Sequence, residues 1–205
     1  MKYEALDVLQ YTSEVAHEHG LEVWIWYPNM MKNESPYKLP SSGFLTEDSD
    51  EARKINEMLR AEDAQREHDF AAIPYIDHIM IPGGDPGDLE PGDLFAFSER
   101  VANILHKYHP NAGVWISAQV MKNSDDFKFR FYDEVVKRPA WLTGVCHAPW
   151  VSHTMKECRE RTPSDLPLRA YPDICHLLCC QYPVHAWDPV WAITAGRECY
   201  NPRPR

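Results

Sequence analysis

Two aspartates follow directly on an apolar stretch of the sequence. The segment "IDHIMIPGGDPGDLEP" (76–91) ends its apolar run at a glycine pair, and Asp85 and Asp88 come next, between prolines. Two carboxyl groups held close together can hydrolyse a glycosidic bond, because one donates a proton to the leaving oxygen while the other stabilises positive charge or orients a participating group. The alternative is that aspartates in a loop of this composition only cap turns and the next helix. We take Asp85 and Asp88 as the candidate catalytic residues.

Aromatic and polar residues recur at or just past the ends of the other predicted strands. Sugar rings present apolar C–H faces that stack well on Trp and Tyr, and Asn, Gln and His side chains hydrogen-bond sugar hydroxyls. Each aromatic taken singly is also compatible with ordinary core packing, but their recurrence at one edge favours a binding site. The predicted substrate-binding residues are Trp26, Asn29, Gln119, His147, Trp150, Gln181, Tyr182, His185 and Trp187.

Five apolar, strand-like segments alternate with helices or long connections. The predicted strands are "LEVWIWYP" (21–28), "IDHIMIP" (76–82), "AGVWISA" (112–118), "LTGVCHA" (142–148) and "DICHLLCCQY" (173–182). The predicted helices cover 3–19, 50–70, 94–108, 127–137 and a final piece at 190–199. We expect Gly20 to stop the first helix and Asp50 to cap the second. Long loops are predicted over 29–49 and over 148–172, the latter holding a short helix.

Short, nearly all-apolar strands that alternate with helices indicate a parallel sheet covered by helices. A doubly wound nucleotide-binding sheet needs a glycine-rich phosphate loop between strand and helix, but here proline and acids interrupt the glycine pair, and acids repel phosphate. Five units are too few to close an eight-stranded barrel of ~250 residues. We therefore predict one domain over 1–205, an incomplete (β/α)8 TIM barrel with about five βα units. The glycine pair and its acids then lie at the C-terminal end of a strand, where such barrels collect functional groups.

Composition and charge limit the function classes. The 205 residues carry a formal net charge of −10, which argues against a nucleic-acid partner because there is no basic face to neutralise phosphates. No stretch approaches the ~20 apolar residues of a membrane span. The start, "MKYEALDVLQ", carries acids where a signal peptide needs an apolar core. No export signal is therefore expected in this chain, although export is open if the chain is a fragment of a longer protein.

The six cysteines all lie in the last third of the chain, without a CxxC pair. This arrangement does not favour a zinc cluster or a disulfide framework, and we expect no metal and no cofactor. A partial barrel exposes strand edges, which favours self-association or contact with the remainder of a longer chain. The expected ligand is a carbohydrate.

Three segments carry a resemblance to known glycosidases. The motif "IMIPGGDPGD" resembles the end of the fourth strand in β-N-acetylhexosaminidase-like glycoside hydrolases, where it reads Gly-Gly-Asp-Glu. "GLEVWIWYP" fits the third-strand position of the same barrels. "YPDICH…CQYPVHAWDPVWAITAGRECYNPRPR" looks like a group of bacterial TIM-barrel proteins usually labelled as uncharacterised glycoside hydrolases.

The resemblance implies a TIM-barrel glycosidase and assigns a role to one aspartate. Asp85 matches the family's Asp, which positions the acetamido group of the substrate. The family's general-acid Glu has no counterpart, because Pro86 stands in its place. Asp88 is the first substitute for that acid and Glu90 a weaker one.

Two other functions stay open. One is a metal-dependent hydrolase on the same barrel that uses His147, His176 and an Asp, although the His-x-His pair usual in such barrels is missing from the sequence. The other is an inactive carbohydrate-binding remnant, which the missing Glu and the incomplete barrel both favour.

Overall fold

The computed structural model describes residues 2–32, 35–84, 86–121, 125–148 and 151–170, with backbone only at 2–4, 29–32 and 86–88. The helices are α1 (Lys2–Glu18), α2 (Asp50–Ala72), α3 (Pro91–Tyr108), α4 (Asp125–Val136) and α5 (Met155–Arg161). The strands are β1 (Trp24–Trp26), β2 (Asn29–Lys32), β3 (His78–Pro82), β4 (Pro86–Asp88), β5 (Gly113–Ser117), β6 (Leu142–His147) and β7 (Leu168–Ala170). The strand predicted at 173–182 and the helical piece at 190–199 lie outside the described residues.

Five strands form one parallel sheet in the order β1-β3-β5-β6-β7, and β2 pairs with β4 in a second, two-stranded parallel sheet. The predicted class, a parallel α/β fold, is confirmed at this level. Each strand of the large sheet pairs with the next strand of that sheet along the chain. Strands of the large sheet that follow one another in the sequence are therefore adjacent in the sheet.

Two strands lie where the sequence predicted loops. β7 falls inside 148–172, and β2 falls inside 29–49. Both are short, and neither "LRA" nor "NMMK" has the apolar run from which strands were predicted. Their extended backbone is fixed by pairing with β6 and β4 rather than by local sequence.

The first two helices end and begin at recognisable caps. Gly20 has a φ of +70° and, with Leu21, donates backbone hydrogen bonds to the last turn of α1, so the predicted glycine stop is confirmed. The N-cap of α2 is Ser49, not the predicted Asp50, because the Ser49 hydroxyl accepts a hydrogen bond from the amide of Ala52 at 3.0 Å. No helix in the described part of the chain is long and apolar enough to cross a bilayer.

The helices cover one face of the large sheet. α1 packs on α2, α2 on α3 and α3 on α4, which makes a single layer. Alternate residues of the strands point into it and are almost completely buried against the helices. The aliphatic side chains on this helix-facing side include Ile79, Ile81, Val114, Ile116 and Val145.

The opposite face curls inward. The guanidinium carbon of Arg169 in β7 lies 4.0 Å from the centre of the Trp24 ring in β1, although β1 and β7 are the two edges of the sheet. Flat strands ~4.8 Å apart would separate these edges by about 19 Å. We call this side the concave face. Contacts place Trp24, His78, Met80, Trp115, Cys146 and Arg169 on it, and the alternation of side chains along β1 places Trp26 on the same side.

Candidate functional site

Several predicted site residues fall where side chains are not described. Asp85, Trp150, Gln181, Tyr182, His185, Trp187 and His176 lie outside the described residues. Asn29 and Asp88 are described by their backbone. The roles proposed for these residues stay predictions.

Asn29 and Asp88 lie in β2 and β4, the two paired strands of the small sheet. β2 follows β1 after two residues and β4 follows β3 after three, and their register places Lys32 beside Asp88. The small sheet therefore continues from the C-terminal ends of β1 and β3. The sequence predicted both residues for the site, but not the pairing that joins their strands.

The glycine pair holds two loops together. The Gly83 amide donates to the Ser117 carbonyl at 2.7 Å, and the Gly84 amide donates to the Gln119 carbonyl at 2.9 Å. A Cβ on Gly84 would lie 2.5 Å from the Val120 carbonyl oxygen. The glycines are thus required for close backbone approach. This contact anchors the chain immediately before residue 85.

The loop on the other side of this contact is strained. Val120 has a φ of 56°, a left-handed conformation that is unusual for a β-branched residue. The turn is closed by a hydrogen bond from the Met121 amide to the Ala118 carbonyl at 3.3 Å. It leaves Gln119 buried, with 2% of its surface exposed. Gln119 therefore lies at the predicted strand end, but it is buried rather than exposed to solvent.

Trp26 is the predicted binding residue that the structure places on the concave face with an open surface. Its side chain is 40% exposed, and in the sheet it pairs with Met80. Trp115 is buried on the same face with 8% exposed, and Trp24 is half-buried. A flat, partly exposed indole at the C-terminal end of β1 can stack on the apolar face of a sugar ring.

Below Trp26, rings fill the concave face. The Trp115 indole N–H donates to Nδ1 of His78 at 3.1 Å, so Nδ1 is unprotonated and Nε2 carries the hydrogen. Burial lowers the pKa of His78. A Cβ on Gly113 would overlap the His78 ring, and one on Gly144 would overlap the Trp115 ring. These glycines therefore make the room in which the rings pack.

His147 lies in a different environment. Its Nε2 is 3.0 Å from the carbonyl oxygen of His153, and Nε2 of His153 is 2.5 Å from the Tyr132 hydroxyl. His153 is buried, and its Nδ1 has no hydrogen-bond partner among the described residues. These contacts join β6 to α4 and the segment before α5. The ring of His147 is turned towards the helix layer. Sugar binding by His147 stays a prediction.

This cluster was missed from the sequence, because Tyr132 and His153 are 21 residues apart and no spacing pattern joins them. Burial and the neighbouring His147 lower the pKa of His153 to about 4, so its ring is neutral at pH 7. Burial also raises the pKa of Tyr132 and of the Cys158 thiol. These groups hold one another in place but are not activated as nucleophiles. Within the described ranges, no three His, Cys, Asp or Glu side chains are grouped to hold a metal ion.

Comparison with known proteins identifies one partial similarity. No family model matches the chain, and no solved structure matches it. A stretch of 99 residues, 48% of this chain, is 31% identical to Tudor domain-containing protein 7 of the dog, Canis lupus familiaris. The matched stretch is 8% of that protein, so the chain spans less than a tenth of the length of this relative.

Proposed function

We propose that the chain is a carbohydrate-active hydrolase that cleaves a glycosidic bond on a (β/α)8-type barrel, of which the described residues contain five consecutive strands, each preceded by a helix. The strand order supports the barrel. A doubly wound sheet reverses its strand order at a switch point, whereas here every strand of the large sheet pairs with the next one along the chain.

The curl of the sheet supports the same architecture. The first and fifth strands of an eight-stranded barrel stand on opposite sides, and their inward side chains meet in a filled interior. The contact between Arg169 and Trp24 joins the first and fifth strands of the large sheet in this way. Trp115 and His78 fill the space beside them.

The exposed face of Trp26 carries the functional proposal. It lies at the C-terminal end of β1, which pairs with β3. Asp85 follows β3 in the sequence, and Asp88 is the last residue of β4. In the proposed reaction Asp88 donates its proton to the leaving oxygen as the glycosidic C–O bond breaks. A water molecule then supplies a hydroxyl group to the anomeric carbon and returns a proton to Asp88. Asp85 holds the acetamido group, or stabilises the positive charge that develops on the sugar. The described backbone on both sides of residue 85 supports this role, because Gly83 and Gly84 are hydrogen-bonded to the chain after β5 and β4 is paired with β2.

A second candidate is sugar binding without hydrolysis. It is supported by Pro86, which occupies the position of the glycosidase Glu and has no group that can donate a proton. The likeness to the dog protein, which covers 8% of that protein's length, supports neither candidate.

Chromogenic glycosides test the proposal. Wild-type protein should release 4-nitrophenol from an N-acetyl-β-D-glucosaminide or a β-D-glucuronide, and Asp85→Asn and Asp88→Asn should each lower the rate by about 100-fold or more. Asp165→Asn is the matched control, because Asp165 is exposed and pairs with Arg138, and it should leave the rate unchanged.

Each other outcome of this assay has a defined meaning. Equal rates in the wild type and both site variants would contradict catalysis by these aspartates. Sugar binding without release of nitrophenol would select the second candidate. Release that stops with a chelator and returns with zinc would point to a metal-dependent hydrolase.

A further inference from the structure

Arg169 presents an unpaired charge on the concave face. Its side chain is exposed, and its guanidinium stacks on the Trp24 ring at 4.0 Å. Across the ranges that the structure describes, no carboxylate forms an ion pair with it and no acceptor takes a hydrogen bond from it. Other arginines of the fold, such as Arg100 with Asp63 and Arg138 with Asp165, are paired with acids.

Stacking leaves the hydrogen-bonding edge of the guanidinium available. A guanidinium contacts an aromatic ring through its flat face, while its N–H groups point outward in its own plane. That planar fork matches the two oxygens of a carboxylate. The contact with Trp24 also restricts the orientations of the side chain, which lowers the entropy lost when a ligand binds.

Most of the side chains beside Arg169 on the concave face are uncharged. Burial lowers the pKa of His78 and raises that of Cys146 to about 12, so both are uncharged at neutral pH. The carboxylate of Glu22 accepts a hydrogen bond from the Trp24 indole at 3.1 Å and lies 3.6 Å from Nε2 of His78. Glu22 precedes β1, at the other end of that strand from Trp26. The chain as a whole carries a net charge of −10. A positive group with a free fork is therefore the local feature by which this face could hold an anion.

The distance to Trp26 suits a sugar ring. Trp24 and Trp26 point to the same side of β1, and residues two apart along a strand are separated by about 7 Å. That separation is close to the width of one pyranose ring. A ring stacked on Trp26 can therefore place an exocyclic carboxylate towards the guanidinium that covers Trp24.

We propose that Arg169 binds the carboxylate of an acidic pyranose, a sugar of the uronic-acid type, whose ring stacks on Trp26. This inference rests on the proposed function, since it names the substrate class of the same site. Arg169 then determines specificity, and the two aspartates remain the reacting groups.

Calorimetric titration with methyl β-D-glucuronide and methyl β-D-glucoside tests this assignment, because the two ligands share a ring and differ in the carboxylate. Wild-type protein should bind the glucuronide about tenfold more tightly or better. Arg169→Gln should reduce the affinity for the glucuronide to that for the glucoside and leave the glucoside unchanged, which also shows that the variant is folded. Arg169→Lys keeps the charge but lacks the planar fork, so its affinity for the glucuronide should lie between those of the wild type and Arg169→Gln.

Arg161→Gln is the matched control. Its guanidinium also stacks on an aromatic ring, at 4.1 Å from the centre of Phe129, but on a different part of the molecule. It should bind both ligands as the wild type does. A preference for the glucuronide that persists in Arg169→Gln, or equal affinities in the wild type, would overturn the assignment.

The two proposals fail in different ways. If the wild type binds both methyl glycosides equally and hydrolyses neutral chromogenic glycosides, the role of Arg169 is wrong and the proposed function stands. If it neither binds a methyl glycoside nor hydrolyses any chromogenic one, both are wrong. Displacement of the glucuronide by acetate at an equal concentration would show that the ring makes no contribution, which would also overturn the inference.

Discussion

The two faces of the five-stranded sheet are built from different kinds of side chain. The helix-facing side is lined by aliphatic residues such as Ile79, Ile81, Val114 and Ile116, each with no measurable exposure. The concave face carries indole rings and an imidazole, and it leaves Trp26 40% exposed. Burial of apolar area on the helix-facing side stabilises the fold. The concave face leaves the side chains of Trp26 and Arg169 exposed to solvent.

The glycines show the same division. Gly113 and Gly144 face the rings of His78 and Trp115, and a methyl group at either position would overlap them. The concave face thus fits large rings by leaving out side chains on neighbouring strands. The helix-facing side is filled instead by aliphatic side chains of similar size. Substitutions on the two sides should therefore have different costs.

The largest loss of stability is expected on the helix-facing side. Phe131 of α4 is fully buried and packs edge-to-face on Phe95 and Tyr132, with ring centres 5.7 and 5.1 Å away. Phe131→Ala should lower the free energy of unfolding by about 3–5 kcal/mol, because it leaves a cavity. Urea unfolding measures this change. Phe129→Ala on the same helix removes a ring that is 45% exposed and should cost under about 1 kcal/mol; similar losses for both would contradict the packing.

An intermediate effect is expected where a glycine makes room on the concave face. Gly113→Ala adds a methyl group against His78 and should cost about 1–3 kcal/mol through overpacking. In a His78→Ala background the same substitution should cost clearly less, since the clashing ring is gone.

Gly92→Ala is the control for the Gly113 substitution. Gly92 lies in α3, and a Cβ there meets nothing within 4 Å, so the change should be neutral or stabilising. A cost at residue 113 that does not depend on residue 78 would indicate that the two strands approach differently from the described register.

Near neutral pH the smallest effect is expected in the polar cluster under the helix layer, because it develops only as the pH falls. The pKa of His153 falls from 6.5 to about 4 on burial, so the unfolded chain binds more protons than the folded one between these values. The stability that neutral His153 contributes is present above pH 6.5 and is lost as the pH falls towards 4. In chemical denaturation at several pH values, the free energy of unfolding of His153→Gln should change less with pH over this window than that of the wild type. His68→Gln, at an exposed site, should keep the wild-type profile, and parallel profiles for all three proteins would be inconsistent with a buried neutral His153.

Much of the fold was predictable because its strands and helices carry strong periodic patterns. Four strands of the large sheet and the helices around them lie close to their predicted positions. β7 and β2 were not predictable, since segments as short as "LRA" have no pattern of their own and become extended through pairing. Ser49 rather than Asp50 caps α2 because a cap depends on where the first turn begins, which composition leaves uncertain by a residue.

The site was predictable in part. Trp26 lies at a strand end with an exposed surface, and Asn29 and Asp88 lie in strands of one small sheet; their roles in binding and catalysis stay predictions. The bond between His147 and the His153 carbonyl and the burial of Gln119 depend on the conformation of loops, which strand periodicity does not encode. Arg169 was missed because its partner, Trp24, is 145 residues away on the other edge of a curled sheet.

The two faces can be compared directly through their tryptophans. We would titrate ¹⁵N-labelled protein separately with methyl N-acetyl-β-D-glucosaminide and with methyl β-D-glucuronide, and follow the indole N–H resonances, assigned with Trp26→Phe and Trp141→Phe. Trp141 packs on Phe95, with ring centres 5.7 Å apart, on the helix-facing side. A saturable shift of the Trp26 resonance, with Trp141 unmoved, is the result expected if the concave face binds sugar. No shift at Trp26 at saturating ligand, or an equal shift at both, would contradict a carbohydrate site on this face.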